Sequence, residues 1–251
     1  MLEFIFDLVS STNPALIVIA GLTIGLIHAF EPDHLSAVST QLLHKTNSSQ
    51  NSKKMEIKKI TISSSIRGMI WGVGHTSSVV LIGLLIAGLS LTISSDFFVG
   101  AEFLVGVMLM GLGVLTAMNK TFFKREHVHP HSHKNGLTHT HPHSHVGDHN
   151  HTHKSYIIGS IHGLAGSGSL VALTASSIHG FDMLISFLIL FGVGSIIGMA
   201  AASGIMGLPL ALLSKINDIA KYLRFLISGI TLLIGANIIF SILSDGHFLI
   251  F

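Results

Sequence analysis

The sequence predicts an all-α integral membrane protein of about six transmembrane helices, built as two inverted three-helix repeats with interrupted first helices. Three observations carry this: apolar runs of spanning length, basic residues confined to alternate connections, and an internal echo that aligns without gaps. Of the 251 residues, 49% are hydrophobic and only 10% charged, a composition too apolar for an ordinary soluble domain.

A helix that spans lipid needs roughly 20 mostly apolar residues. Such runs lie at 14–43, interrupted by Pro32, and at 66–91, 97–118, 156–178, 183–208 and 222–243. Strands satisfy their backbone in lipid only as a closed barrel, and no alternating pattern of the needed length is present, so the spans are helices. Glu3 and Asp7 stand near the start without a basic residue or a small-residue cleavage site, so no removable signal peptide is expected. The absence of cysteine excludes disulfides, thiolate metal sites and thiol nucleophiles.

All fourteen Lys and Arg fall within Lys45 to Arg67, Lys120 to Lys154, or Lys215 to Arg224. These are alternate connections of a six-span chain, and basic loops stay in the cytoplasm. The expected location is therefore the cell membrane, with both termini outside and the basic loops inside. Three segments follow: 1–118, a first three-helix repeat with a basic cytoplasmic loop at 44–65; 119–155, a histidine-rich cytoplasmic loop; and 156–251, a second three-helix repeat.

The echo supports that division. "GLIHAFEPDHLSAVST" (25–40) aligns on "GSIHGLAGSGSLVALT" (159–174), which pairs His28 with His162. "GVGHTSS" (72–78) aligns on "GVGSIIG" (192–198), which pairs His75 with Ser195, and "FLVGVMLMGLG" (103–113) resembles "FLISGITLLIG" (225–235). Copies of three helices enter the membrane from opposite sides. Inverted repeats with interrupted helices are a feature of secondary transporters, whose sites lie near the bilayer midplane.

The chemistry concentrates in "HAFEPDH", residues 28–34. On an unbroken helix Asp33 and His34 would point about 140° and 240° around from His28. Pro32 removes an N–H and clashes with the carbonyl of His28, so the helix should kink there, release that carbonyl and let the side chains converge. At the matching level the second copy supplies Gly163, Gly166 and Gly168, which allow close backbone approach and a second helix break. A single His–Asp pair could merely lock two helices together. Here His75 and His162 add two more imidazoles in core spans, with no Lys or Arg beside them. His28, Asp33, His34, His75 and His162 thus form a candidate cation site. Imidazole with one carboxylate suits Ni²⁺, Co²⁺, Zn²⁺ or Cu²⁺ rather than Mg²⁺ or Ca²⁺.

These residues resemble a known family. His28, Asp33 and His34 match the H-x4-D-H signature of the nickel/cobalt transporter superfamily, and "GHTSSVV" (74–80) resembles its second motif. The six-span length and "HGLAGSG" (162–168) look most like the urease-accessory H-type branch. Membership implies movement of divalent Ni or Co across a membrane, with the first motif tied to metal recognition.

"HVHPHSHKNGLTHTHPHSHVGDHNHTH" (127–153) is a different material: His127, His129, His131, His133, His139, His141, His143, His145, His149, His151 and His153, separated by Pro, Gly, Asn and Thr. It is too polar to form a core and is expected to be disordered without metal. Flexible imidazoles chelate transition ions, so a metal-sensing or buffering role is expected rather than permeation.

The leading reading is secondary transport of Ni²⁺ and/or Co²⁺ by alternating access. No G-x-x-x-x-G-K-[ST] loop supplies nucleotide energy, and the direction is open between uptake and efflux. The ion is a substrate, and no resident cofactor is expected. The partners are a divalent transition ion and the lipid bilayer, with no nucleic acid; a homo-oligomer or a metallochaperone partner stays open. The alternatives are a Zn²⁺ or Cu²⁺ transporter, an intramembrane His-ligated metalloenzyme, which the absence of H-E-x-x-H disfavours, and a non-transporting metal receptor.

Overall fold

A computed structural model describes residues 14–48, 57–89, 95–120, 127–132, 138–143, 152–166, 178, 180–213 and 217–244. In chain order these contain α1 (Pro14–His28), α2 (Pro32–Ser48), α3 (Ile57–Leu89), α4 (Ser95–Ala117), β1 (His127–Ser132), β2 (Thr138–His143), α5 (Thr152–Gly166), α6 (Phe181–Leu213) and α7 (Asn217–Ser244). The protein is an all-α membrane protein apart from one two-stranded hairpin.

Among the described residues, four helices contain apolar stretches long enough to cross a membrane: Ile60–Ile86, Asp96–Ala117, Phe181–Leu210 and Ile219–Ser244. The predicted interruption at Pro32 is present: Ala15–His28 and Pro32–Leu43 are bent by 52° at the break, the geometry of a broken span or a re-entrant loop. The fourth expected span, 156–178, is described as helix only to Gly166, and residues 167–177 lie outside the described residues. The outward faces are apolar, as lipid requires: Ile19, Leu81, Leu104, Ile205, Leu233 and Phe240 are all exposed.

The break has a local cause. α1 stops at His28, and two tight turns follow, with Phe30 N–H donating to the Ile27 carbonyl and Glu31 N–H to that of His28. The His28 carbonyl, which the sequence suggested would be released, is thus satisfied at 3.1 Å by Glu31. Pro32 then opens α2, where its missing N–H and fixed φ suit a first helical turn.

Close contacts show how the helices run. A Cβ at Gly21 would meet Phe187, and one at Gly25 would strike the Phe191 carbonyl, so α1 and α6 run parallel. Gly159 and Gly163 stand in the same relation to the Trp71 and His75 carbonyls, so α5 runs parallel to α3. Gly68 beside Ser203 and Gly72 beside Ile196 make α3 and α6 antiparallel. α1 and α6 therefore begin at one face, here the N-terminal face, and α3 and α5 at the opposite one, here the loop face. α4 packs on α7 through Gly106 and Gly113. Small residues let these backbones approach where lipid supplies no hydrophobic drive.

Two buried apolar clusters lie along this axis. Ile17, Ile24, Val79, Leu184, Phe187 and Phe191 form one, and Val38, Leu42, Trp71, Leu109, Met199 and Leu210 belong to the other. α4 ends in a left-handed Asn119 (φ 55°), with Lys120 N–H reaching back to the Leu115 carbonyl, a helix-stop geometry just before the histidine-rich segment.

That segment departs from the disorder its composition suggested. β1 and β2 pair antiparallel in a register that sets His127 opposite His143, His129 opposite His141, and His131 opposite His139. The alternating pattern with Val and Thr provides the strand periodicity that a purely compositional reading overlooks.

Candidate metal centre

The bend between α1 and α2 brings together the five residues singled out in the spans. His28 closes α1, and Asp33 and His34 stand in the first turn of α2. His75 comes from the middle of α3, and His162 from α5. His34, His75 and His162 are each 0% exposed and His28 is 3% exposed, so four imidazoles are withdrawn from solvent at one point of the bundle. Ring centroids are 4.4 Å apart for His28–His34 and for His34–His162, 5.0 Å for His34–His75 and 5.3 Å for His28–His75.

Asp33 organises the cluster. Its Oδ1 accepts both the His34 backbone N–H and the His34 ring Nδ1, each at 2.8 Å, and its Oδ2 lies 2.9 Å from His162 Nε2. An ionised carboxylate only accepts, so both imidazoles present N–H to it. Each ring's lone pair then lies on its other nitrogen, which is the arrangement that orients histidine toward metals. Those nitrogens, His34 Nε2 and His162 Nδ1, are buried without a hydrogen-bond partner. A buried acceptor left so is expensive unless a ligand uses it.

Two overlapping groups could hold an ion: His28, His34 and His75, and Asp33, His34 and His162, with donor atoms in each within 4.8 Å of one another. Metal–nitrogen bonds of about 2.1 Å span donors up to about 4.2 Å apart, so small ring movements suffice to close either group on an ion. Because one neutral imidazole offers one lone pair, the shared His34 could serve only one of the two groups at a time.

The remaining expectations are placed as follows. Pro32 stands at the break. Gly163 does not: it lies inside α5, where its lack of Cβ admits the His75 backbone, and Gly166 is the last residue of that helix. Gly168 lies outside the described residues, as do His133, His145, His149 and His151. The hairpin holds six of the loop histidines, and His153 is exposed in the first turn of α5.

Three contacts were not anticipated. Glu31 Oε1 lies 3.0 Å from His28 Nδ1. Trp71 packs its ring 5.4 Å from both His34 and His162 and 6.0 Å from His75, and Phe191 lies 5.5 Å from His28. The signals were helical spacing, with Glu31 three residues after His28 and Trp71 four before His75.

An all-α membrane protein with a buried histidine–aspartate cluster at a broken span is thereby defined. The chain is 32% identical over 197 residues, covering 78% of each chain, to the urease accessory protein UreH of Bacillus sp. (strain TB-90). It belongs to the urease-accessory H-type branch of the nickel/cobalt transporter superfamily. No family model and no solved structure matches it.

Proposed function

We propose that this protein carries Ni²⁺ and/or Co²⁺ across the cell membrane by gradient-driven alternating access, with His28, Asp33, His34, His75 and His162 as the site through which the ion passes. The observation that carries the proposal is the cluster of four buried imidazoles at the bend between α1 and α2, two of them held by the one carboxylate of Asp33. Burying polar groups in a membrane protein is costly, and the lone pairs aimed at one another's neighbourhood find a use when a cation arrives. Nitrogen-rich ligation favours late first-row divalent ions over Mg²⁺ and Ca²⁺, and family membership weights nickel and cobalt over zinc and copper.

In this reading the ion sheds water on entering, binds one histidine group and passes to the other through His34. Protons leave imidazoles as the ion binds, which gives a route to coupling. The two three-helix repeats divide at the histidine-rich segment, the termini face outward, and that segment senses or buffers cytoplasmic metal. The protein is not an enzyme.

The test is metal flux into proteoliposomes for the wild type, His28→Ala and Asp33→Ala across Ni²⁺, Co²⁺, Zn²⁺ and Mg²⁺. Flux of nickel or cobalt that collapses in both variants supports the site. Equal flux in all three proteins removes it.

A further inference from the structure

We propose that Phe191 and Trp71 are the two barriers of the ion's path: Phe191 closes the histidine cluster toward the N-terminal face and Trp71 closes it toward the loop face. This rests on the transport reading above but is tested separately from it.

The two rings hold equivalent positions. The alignment of "GVGHTSS" on "GVGSIIG" makes Trp71 and Phe191 the residues immediately before each segment. The contacts obey the same exchange. A Cβ at Gly25 would strike the Phe191 carbonyl, and one at its counterpart Gly159 would strike the Trp71 carbonyl. Gly74 lies against the Tyr156 carbonyl, and its counterpart Gly194 against that of Leu22; Tyr156 and Leu22 each stand three residues before Gly159 and Gly25. Gly72 faces Ile196 as Gly192 faces Thr76. Swapping the two copies thus carries contact onto contact, which is what a two-fold axis in the membrane plane produces.

The axis puts the rings on opposite sides of the site. Gly25 precedes His28 by three residues on α1, so Phe191 sits about 4.5 Å nearer the N-terminal face than His28 does. Gly159 precedes His162 by the same interval on the antiparallel α5, which places Trp71 on the loop-face side. Phe191 is 0% and Trp71 1% exposed, and they belong to different apolar clusters. Between them the imidazoles are sealed from both faces.

A second observation marks the loop-face side. A cavity of about 10 Å³, lined by Val38, Gln41, Leu42, Arg67, Trp71 and Ser203 among others, abuts Trp71, and none of the cluster histidines lines it. Its walls hold buried polar atoms without hydrogen-bond partners, Trp71 Nε1, Gln41 Nε2 and Ser203 Oγ. A space of about one water volume, largely apolar but with polar side chains in its wall, lies where a hydrated path that Trp71 blocks would end.

The chain contains no cysteine, so a single introduced thiol reports access. Ser195, one turn beyond Phe191 on α6 and 0% exposed, is the reporter. The full chain carrying Ser195→Cys is reconstituted in liposomes and exposed to a membrane-impermeant maleimide at one face or the other. Labelling proceeds through the open population. Adding Phe191→Ala is expected to raise the rate about tenfold from the N-terminal face only, and adding Trp71→Ala about tenfold from the loop face only. Phe191→Leu and Trp71→Leu serve the same purpose if the alanine variants do not assemble. Equal acceleration from both faces, or none from either, overturns the assignment. Labelling needs no metal, so selective labelling without metal flux would sink the transport reading alone, while flux with unselective labelling would sink the barriers alone.

Discussion

Asp33 joins two helices that are 129 positions apart in sequence by placing Oδ2 2.9 Å from Nε2 of His162 while Oδ1 holds His34 at 2.8 Å. One carboxylate therefore sets the tautomer of two buried imidazoles. Asp33→Asn keeps the shape but replaces one carboxylate oxygen by a donating NH2 group, so one histidine must turn its lone pair toward the amide. Nickel affinity measured by calorimetry in detergent should fall about 10- to 100-fold, the range seen when a carboxylate orienting a metal-binding histidine is lost.

His34 belongs to both candidate ion groups, whereas His28 and His75 belong to one and His162 to the other. His34→Ala should abolish flux. His28→Ala and His162→Ala should each leave binding of one ion at reduced affinity, detectable as metal-dependent thermal stabilisation. Equal residual binding by all three variants would contradict the sharing.

Gly25 and Gly159 hold helix pairs in backbone contact, while nothing lies near a Cβ added at Gly229. Gly25→Ala and Gly159→Ala should each destabilise by about 1–3 kcal/mol through overpacking. Gly229→Ala should be neutral or slightly stabilising by its helix propensity. Thermal unfolding in detergent separates the two outcomes.

Removing 127–153 takes out all eleven histidines of the connecting segment and leaves the five residues of the buried cluster intact. Flux at saturating metal should persist, and the metal concentration at which cells respond should shift. Binding of nickel by the isolated segment should weaken as pH falls through the ordinary imidazole range near about 6.5, because protons compete for the lone pairs. Isothermal titration at two pH values checks the sign.

Much of the site was legible because ionisable residues inside apolar runs are conspicuous. His28, Asp33, His34, His75 and His162 stand out against helices whose other residues are aliphatic, small or hydroxylic. Pro32 marked the interruption correctly, since a residue without an N–H fits the first turn of a helix and disfavours the turn before it, although Pro209 is carried inside α6. The fate of the His28 carbonyl was not legible, because the Glu31 N–H that donates to it is brought there by a tight turn. The pairing of 127–132 with 138–143 was hidden for another reason: a composition with few apolar residues argues against a core, and a two-stranded ribbon needs none to satisfy its ladder.

The sequence by itself determined that this chain is helical and membrane-embedded, that its first span is broken at Pro32, and which side chains are chemically able to hold a cation. These follow from local properties, namely apolar run length, proline's missing donor and the ionisable groups of single residues. Only the tertiary structure decided that Asp33 clasps His162, that His34 is common to both candidate ion groups, and that Trp71 packs on His34 and His162 while Phe191 packs on His28. Those relations depend on which helices cross and at what level. That is set by glycine-to-carbonyl contacts between segments more than a hundred residues apart for α1 and α6, a distance over which periodicity carries no information.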